Sequence, residues 1–129
     1  MIFRKTWLKV SDSSQAKWLS VFSLYGGSFR RSSKSSLIVK GSIRIVQPFF
    51  CYYKGFSKKQ IVKGKVSKSL ITAQTYAYIN SNLRFTLRSS VNSSILIKKK
   101  LNVQAKHALG PAFISNSKKK FNVIFKTVL

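Results

Sequence analysis

Residues 37–46 read LIVKGSIRIV. Leu37, Val39, Ile43 and Ile45 share one parity, and Lys40, Ser42 and Arg44 share the other. A period of two describes a strand with one buried face and one basic, solvated face. Gly41 falls on the apolar parity. Glycine inside a strand marks a sharp bend or the close approach of another backbone. Strands of a small closed barrel have to coil, and glycines at the corners permit it. Residues 83–88 repeat the pattern, with Leu83, Phe85 and Leu87 against Arg84, Thr86 and Arg88. Residues 61–68 follow it more loosely, Val62, Gly64 and Val66 opposing Lys63 and Lys65. Further strands are expected over 16–25, 75–79 and 93–97. Asn80-Ser81-Asn82 reads as the turn of a hairpin joining 75–79 to 83–88.

The last third changes character. Gly110-Pro111 is a turn or helix-boundary signal. Phe121, Ile124, Phe125 and Val128 are spaced i, i+3, i+4, i+7, one face of a short helix. Lys118-Lys119-Lys120 precedes it, where cations oppose the helix dipole unless solvent or phosphate is near. No repeat or linker divides the chain. The residues thus describe a mainly β protein of one domain, 1–129: a small β-barrel over 1–101, interrupted at 49–57 (FFCYYKGFS), and a helical appendage over 102–129. Periodicity leaves an oligonucleotide-binding barrel and an SH3-like barrel both open.

Charge dominates the composition. The 129 residues include 25 Lys+Arg and 1 Asp+Glu, a formal net charge of +24. The chain is 44% hydrophobic, with 10 Phe, 5 Tyr and 2 Trp, too apolar for a disordered tail. Asp12 cannot balance the cations, so the counter-charge comes from a partner, and nucleic-acid phosphate is the commonest dense source. An enzyme is not expected, because acid–base catalysis needs tuned carboxylates or histidines. No metal or other cofactor is expected either: Cys51 and His107 stand alone and far apart in sequence, whereas metal sites need clustered ligands. A lone cysteine forms no internal disulfide. No membrane partner is expected, since residues 42–53 carry Arg44, Gln47 and Pro48 and are too short to span. The abundance of Lys, Ile, Phe, Asn and Ser, with few Ala, suggests an AT-rich coding sequence of organellar type.

With Met1-Ile2, Asp12-Ser13-Ser14-Gln15-Ala16 and Gly26-Gly27-Ser28-Phe29-Arg30-Arg31 in view, the chain resembles the universal large-subunit ribosomal protein family numbered fourteen in the bacterial scheme. That family opens Met-Ile, then carries an Asp-Asn-Ser-Gly-Ala loop and a strand ending Gly-Gly-Ser-x-Arg-Arg. The spacing between the two motifs matches without a gap. Residues 37–48, Asn92–Ile97 (NSSILI), Gly110-Pro111-Ala112 and 121–129 resemble later family segments. Gln15 departs from the loop glycine, Ala105-Lys106-His107 stand where the family has Gly-Thr-Arg, and 49–57 is longer than the family's connection.

The resemblance implies a five-stranded barrel with a protruding β-ribbon and short C-terminal helices. It implies binding to large-subunit ribosomal RNA near the sarcin–ricin region and packing beside the large-subunit protein numbered nineteen. It also implies contact with small-subunit ribosomal RNA at an intersubunit bridge, and docking of a ribosome-silencing factor. Together with the composition it suggests a mitochondrial, organelle-encoded version, and the match beginning at Met1 suggests no presequence. Gly26-Gly27 would turn the chain or admit RNA to the backbone, and Arg30-Arg31 at the loop tip would grip phosphate. The expected RNA-binding set is Lys17, Arg30, Arg31, Lys40, Arg44, Lys63, Lys65, Lys68, Arg84, Arg88, Lys98, Lys99, Lys100, Lys106 and His107. Phe49, Phe50, Tyr52, Tyr53 and Phe56 are expected to pack on a neighbouring protein.

The alternative is an organellar barrel binding single strands outside the ribosome. Such a protein carries aromatics on its basic strand faces, and residues 37–46 and 83–88 put apolar side chains opposite the cations instead. A cationic membrane-active protein would need a long amphipathic helix, which the alternation opposes.

Overall fold

The computed structural model describes residues 1–27, 29–48, 61–76, 78–80, 85–113, 121 and 123–125. The 49–57 stretch with its aromatics and Cys51, the 81–82 turn with Leu83 and Arg84, Lys118–Lys120 and Val128 lie outside the described residues.

The described residues form nine strands: β1 (Ile2–Phe3), β2 (Trp7–Val10), β3 (Ala16–Leu24), β4 (Ser32–Ser33), β5 (Ile38–Val46), β6 (Val66–Ala73), β7 (Tyr78–Asn80), β8 (Phe85–Leu87) and β9 (Ser93–Ile97). Five of them close a barrel in the order β2-β3-β5-β6-β9. The pairs are antiparallel except β2 with β9, which close the barrel in parallel. β1 and β4 form a small separate sheet, and β7 and β8 a two-stranded ribbon. In the ribbon Tyr78 pairs with Leu87 and Asn80 with Phe85. The two arms of the expected hairpin do pair antiparallel, but the first strand is 78–80 rather than 75–79, and Asn80, expected in the turn, belongs to the ladder.

The interior is built by the inward parity. Leu8 and Val10 of β2, Leu19, Val21 and Leu24 of β3, Val39 and Ile43 of β5, Ile71 of β6 and Leu96 of β9 form one buried cluster with Ile2, Ala16 and Ile61. Each fully buried aliphatic side chain contributes roughly 1.5–3 kcal/mol. Gly41 sits where β3 crosses closest: a Cβ there would meet the Ser20 carbonyl oxygen at 2.6 Å and Leu19 Cγ at 2.8 Å. Alternation in β5 stops after Ile43. Ala16, Trp18 and Leu19 pair with Val46, Ile45 and Ile43, so the register slips at Lys17 and again at Arg44. The bulge turns Ile45 outward, 44% exposed, and lets Val46 pack on the core. Bulges of this kind raise the local twist that closure needs.

The strand expected over 61–68 is displaced. Residues 62–65 form a turn, Lys65 N–H donating to the Val62 carbonyl, with Gly64 at φ +86°; the ladder runs over β6 instead. From Ser69 to Ala73 every residue of β6 is buried, as is all of β9. The reason is a second apolar cluster on the outside of this wall: Leu70, Ile95 and Ile97 against Ala108, Ala112, Phe121 and Phe125. The segment after β9 lies across the wall through bridges Ile97↔Val103, Asp12↔Ala108 and Ala108↔Phe125. It is pinned by Phe113 N–H to the Thr72 carbonyl at 2.6 Å and Ser36 Oγ–H to the Phe113 carbonyl at 3.1 Å. Residues 102–113 therefore run as isolated bridges and bends where a helical appendage was expected. Helix among the described residues is a 3-10 turn at Phe121, Val123 and Ile124; Phe121 and Ile124 pack in the outer cluster with Phe125, which bridges Ala108 instead of continuing the expected helix face.

Candidate nucleic-acid interface

Beside the β5–β6–β9 wall lies a cleft of about 1180 Å³, lined among others by Lys40, Lys65, Lys68, Lys98, Lys99 and Lys100. The ladder brings the first set together. Lys40 of β5 is directly opposite Lys68 of β6, which is opposite Ile97 of β9. Like charges directly opposite one another destabilise a sheet, so this pairing is a cost to the isolated fold. A tight turn supplies the second set: Leu101 N–H donates to the Lys98 carbonyl at 3.0 Å, Lys98 N–H to the Asn102 carbonyl at 2.8 Å, and Leu101 takes φ +59°. Lys98, Lys99 and Lys100 stand exposed on that turn. Ser13, Ser14, Gln15, Asn102 and Gln104 add polar groups to the rim.

No acid answers these cations among the described residues. Asp12 is the only acidic side chain of the chain, and it is buried and occupied within the barrel. Its Oδ1 accepts from Ser14 N–H at 2.9 Å and its Oδ2 from Leu96 N–H at 2.8 Å, clamping the loop after β2 to β9. Lys68 is steadied by an aromatic face instead, its Nζ 5.5 Å from the Tyr25 ring centroid.

The other expected residues are distributed. Arg30 is a brace: its Nε donates to the Ser32 carbonyl at 3.1 Å and its Nη1 to the Tyr25 carbonyl at 3.2 Å. Gly26 (φ +107°) leaves the space that this guanidinium fills. Of the two arginines expected to grip phosphate at the loop tip, Arg30 is half-buried and engaged with its own loop, and Arg31 is exposed. Arg31 joins Arg4, Phe3 and Phe29 around a smaller hollow of about 380 Å³ that Arg30 also lines. Arg88 likewise spends its Nε on the Thr75 carbonyl at 2.9 Å, tying the foot of the ribbon. Lys17 and Arg44 are exposed on the outer faces of β3 and β5, and Lys63 is exposed in the turn before β6. Lys106 and His107 are exposed, and the His107 carbonyl accepts from Ser13 N–H at 2.8 Å. Arg84 lies outside the described residues.

Arg4 was missed because β1 is two residues long and shows no periodicity; only its pairing, Ile2↔Ser33 and Phe3↔Ser32, brings it beside Arg31. Chemically, a cleft lined by six lysines and no acid is suited to phosphate, and such contacts carry no information about base sequence. Among the described residues no group of three His, Cys, Asp or Glu could hold a metal, and no helix is long and apolar enough to cross a membrane. One family model, described as ribosomal protein L14p/L23e, matches residues 1–128.

Proposed function

Because the chain belongs to the ribosomal protein L14p/L23e family, a structural family of the large ribosomal subunit, we propose that it serves the large subunit of the mitochondrial ribosome and holds folded ribosomal RNA in the lysine cleft. The observation that carries this reading is the Lys40–Lys68 opposition inside a cleft with four further lysines and no acid. Polyanion binding turns that repulsion into attraction and releases counterions. The AT-rich type of composition supports the organellar assignment. By the family resemblance, the reading extends to the large-subunit protein numbered nineteen, to small-subunit RNA at an intersubunit bridge, and to a ribosome-silencing factor as partners. The single-strand-binding alternative outside the ribosome is the outcome to be tested against.

The test is sedimentation of a mitochondrial lysate at low magnesium, which parts the subunits, with the protein located by mass spectrometry. Comigration with the large subunit after a moderate salt wash is expected. A protein that stays at the top while other large-subunit proteins sediment would overturn the reading.

A further inference from the structure

We propose that the outer face of β2 and β3 is a stacking platform for unpaired bases of an RNA single strand, with Trp7 and Trp18 as its rings. The proposal rests on the RNA-binding reading above and adds a second, chemically different contact to it.

Both tryptophans of the chain are on one outer face. Leu8 and Val10 point inward from β2, so Trp7 and Lys9 point outward, Trp7 49% exposed. The register builds two rows across three strands: Lys9, Trp18 and Ile45, then Trp7, Ser20 and Ser42. The ring centroids are 6.3 Å apart and tilted by 55°, so the rings do not stack face to face on each other. Ser20 and Ser42 are too short to cover them. Ile45 and Phe22, 44% and 46% exposed, extend the apolar surface.

The charges around this patch select the occupant. Lys9, Lys17 and Arg44 are exposed on the same three strands. A protein covering the tryptophans would desolvate these cations, and the chain has no acid to spare for them. A single strand brings a phosphate with each flat base, and base–aromatic stacking tolerates any sequence. A duplex hides its base faces and cannot use the platform. The argument from 37–46 and 83–88 against aromatics on basic faces does not extend to β2 and β3, where Trp7 and Lys9 share the outer face of β2 and the bulge at Lys17 puts Lys17 and Trp18 side by side on β3.

The two tryptophans are their own reporters. Emission of the full chain is measured against a short single-stranded RNA, the same strand in duplex, and an abasic strand of equal length. Filter binding of each probe runs in parallel. Quenching by the single strand alone is expected. Trp7→Ala should weaken single-strand binding by roughly 5- to 150-fold, the range stacking losses give, and leave duplex binding unchanged. Trp18→Phe, which keeps a ring, should retain most of it. Equal quenching by the abasic strand, or single-strand binding with unchanged emission, overturns the platform and leaves the cleft reading standing. Failure of all three probes to bind overturns both. Large subunits carrying Trp7→Ala that keep their RNA contacts but lose a neighbouring protein would assign the face to protein and overturn the proposal.

Discussion

Lys40→Thr should make the free protein more stable and its RNA complex weaker. Lys40 is opposite Lys68 across β5 and β6 and is half-buried on the cleft wall. Cross-strand pairs of this kind are worth roughly 0.2–1 kcal/mol. Threonine also suits a strand. The expected gain is about 0.5 kcal/mol, or roughly 2 °C in Tm for a domain of this size. It should be present at about 0.01 M salt, where the Debye length is about 30 Å, and absent near 1 M, where it is about 3 Å. Losing one phosphate contact should flatten the log–log salt slope of RNA binding by about 0.9 and cost about eightfold in affinity at 0.1 M salt. Thermal unfolding of the full chain at both salts and filter binding to large-subunit ribosomal RNA over a salt series measure the two effects. A variant that is less stable at both salts and keeps its RNA salt slope would refute the reasoning, for Lys40 would then be a packing stem.

Three further changes test the frame. Gly41→Val should destabilise by about 1–3 kcal/mol, the usual cost of overpacking, because even a Cβ meets the Ser20 carbonyl at 2.6 Å; unchanged denaturant midpoints would deny the close crossing. Asp12→Asn presents an amide donor where Ser14 N–H and Leu96 N–H both need acceptors, so a loss of about 1–3 kcal/mol is expected in urea unfolding. Phe121→Ala should cost about 3–5 kcal/mol and speed proteolysis after residue 101, since Phe121 is 2% exposed in the outer cluster; a wild-type digestion rate would mean the segment is held by other contacts.

What the sequence made legible follows the physics of each strand. β5 alternates because one of its faces is wet, and its reading stood as far as Ile43. The flip at Ile45 comes from bulges opposite Lys17 and at Arg44, which depend on pairing and leave no mark in one strand's pattern. Residues 62–65 alternate too, yet they are a turn: period two in four residues is too short to separate the cases, and Gly64 needs its positive φ there. Ser69–Ala73 escaped notice for the opposite reason. With an apolar cluster on each side of the wall, no polar parity remains. The number of barrel strands was expected from the family resemblance alone and their order was not legible, since contacts such as β2 with β9 join residues over eighty positions apart. At the site, single lysines were nameable and their grouping was not. Lys40, Lys68 and Lys98–Lys100 meet only once the barrel closes.

The division of labour between the two cation types completes the account. Arg30 and Arg88 bond to carbonyls of their own chain, using the planar donor set that suits fixed geometry. They hold the loop after β3 and the foot of the ribbon. The cleft is all lysine among its described cations. Its backbone is rigid, because β6 and β9 are buried on both faces just beyond Lys68 and before Lys98. Its head groups sit on long stems, Lys68 held against Tyr25 and Lys98, Lys99 and Lys100 exposed to solvent. Under the proposed function, a stiff wall carrying point charges on long stems would suit the phosphate surface of a folded RNA without reading its bases. Specific placement must then come from shape and from contacts of another kind, which is the part the tryptophan face of β2 and β3 is suited to supply.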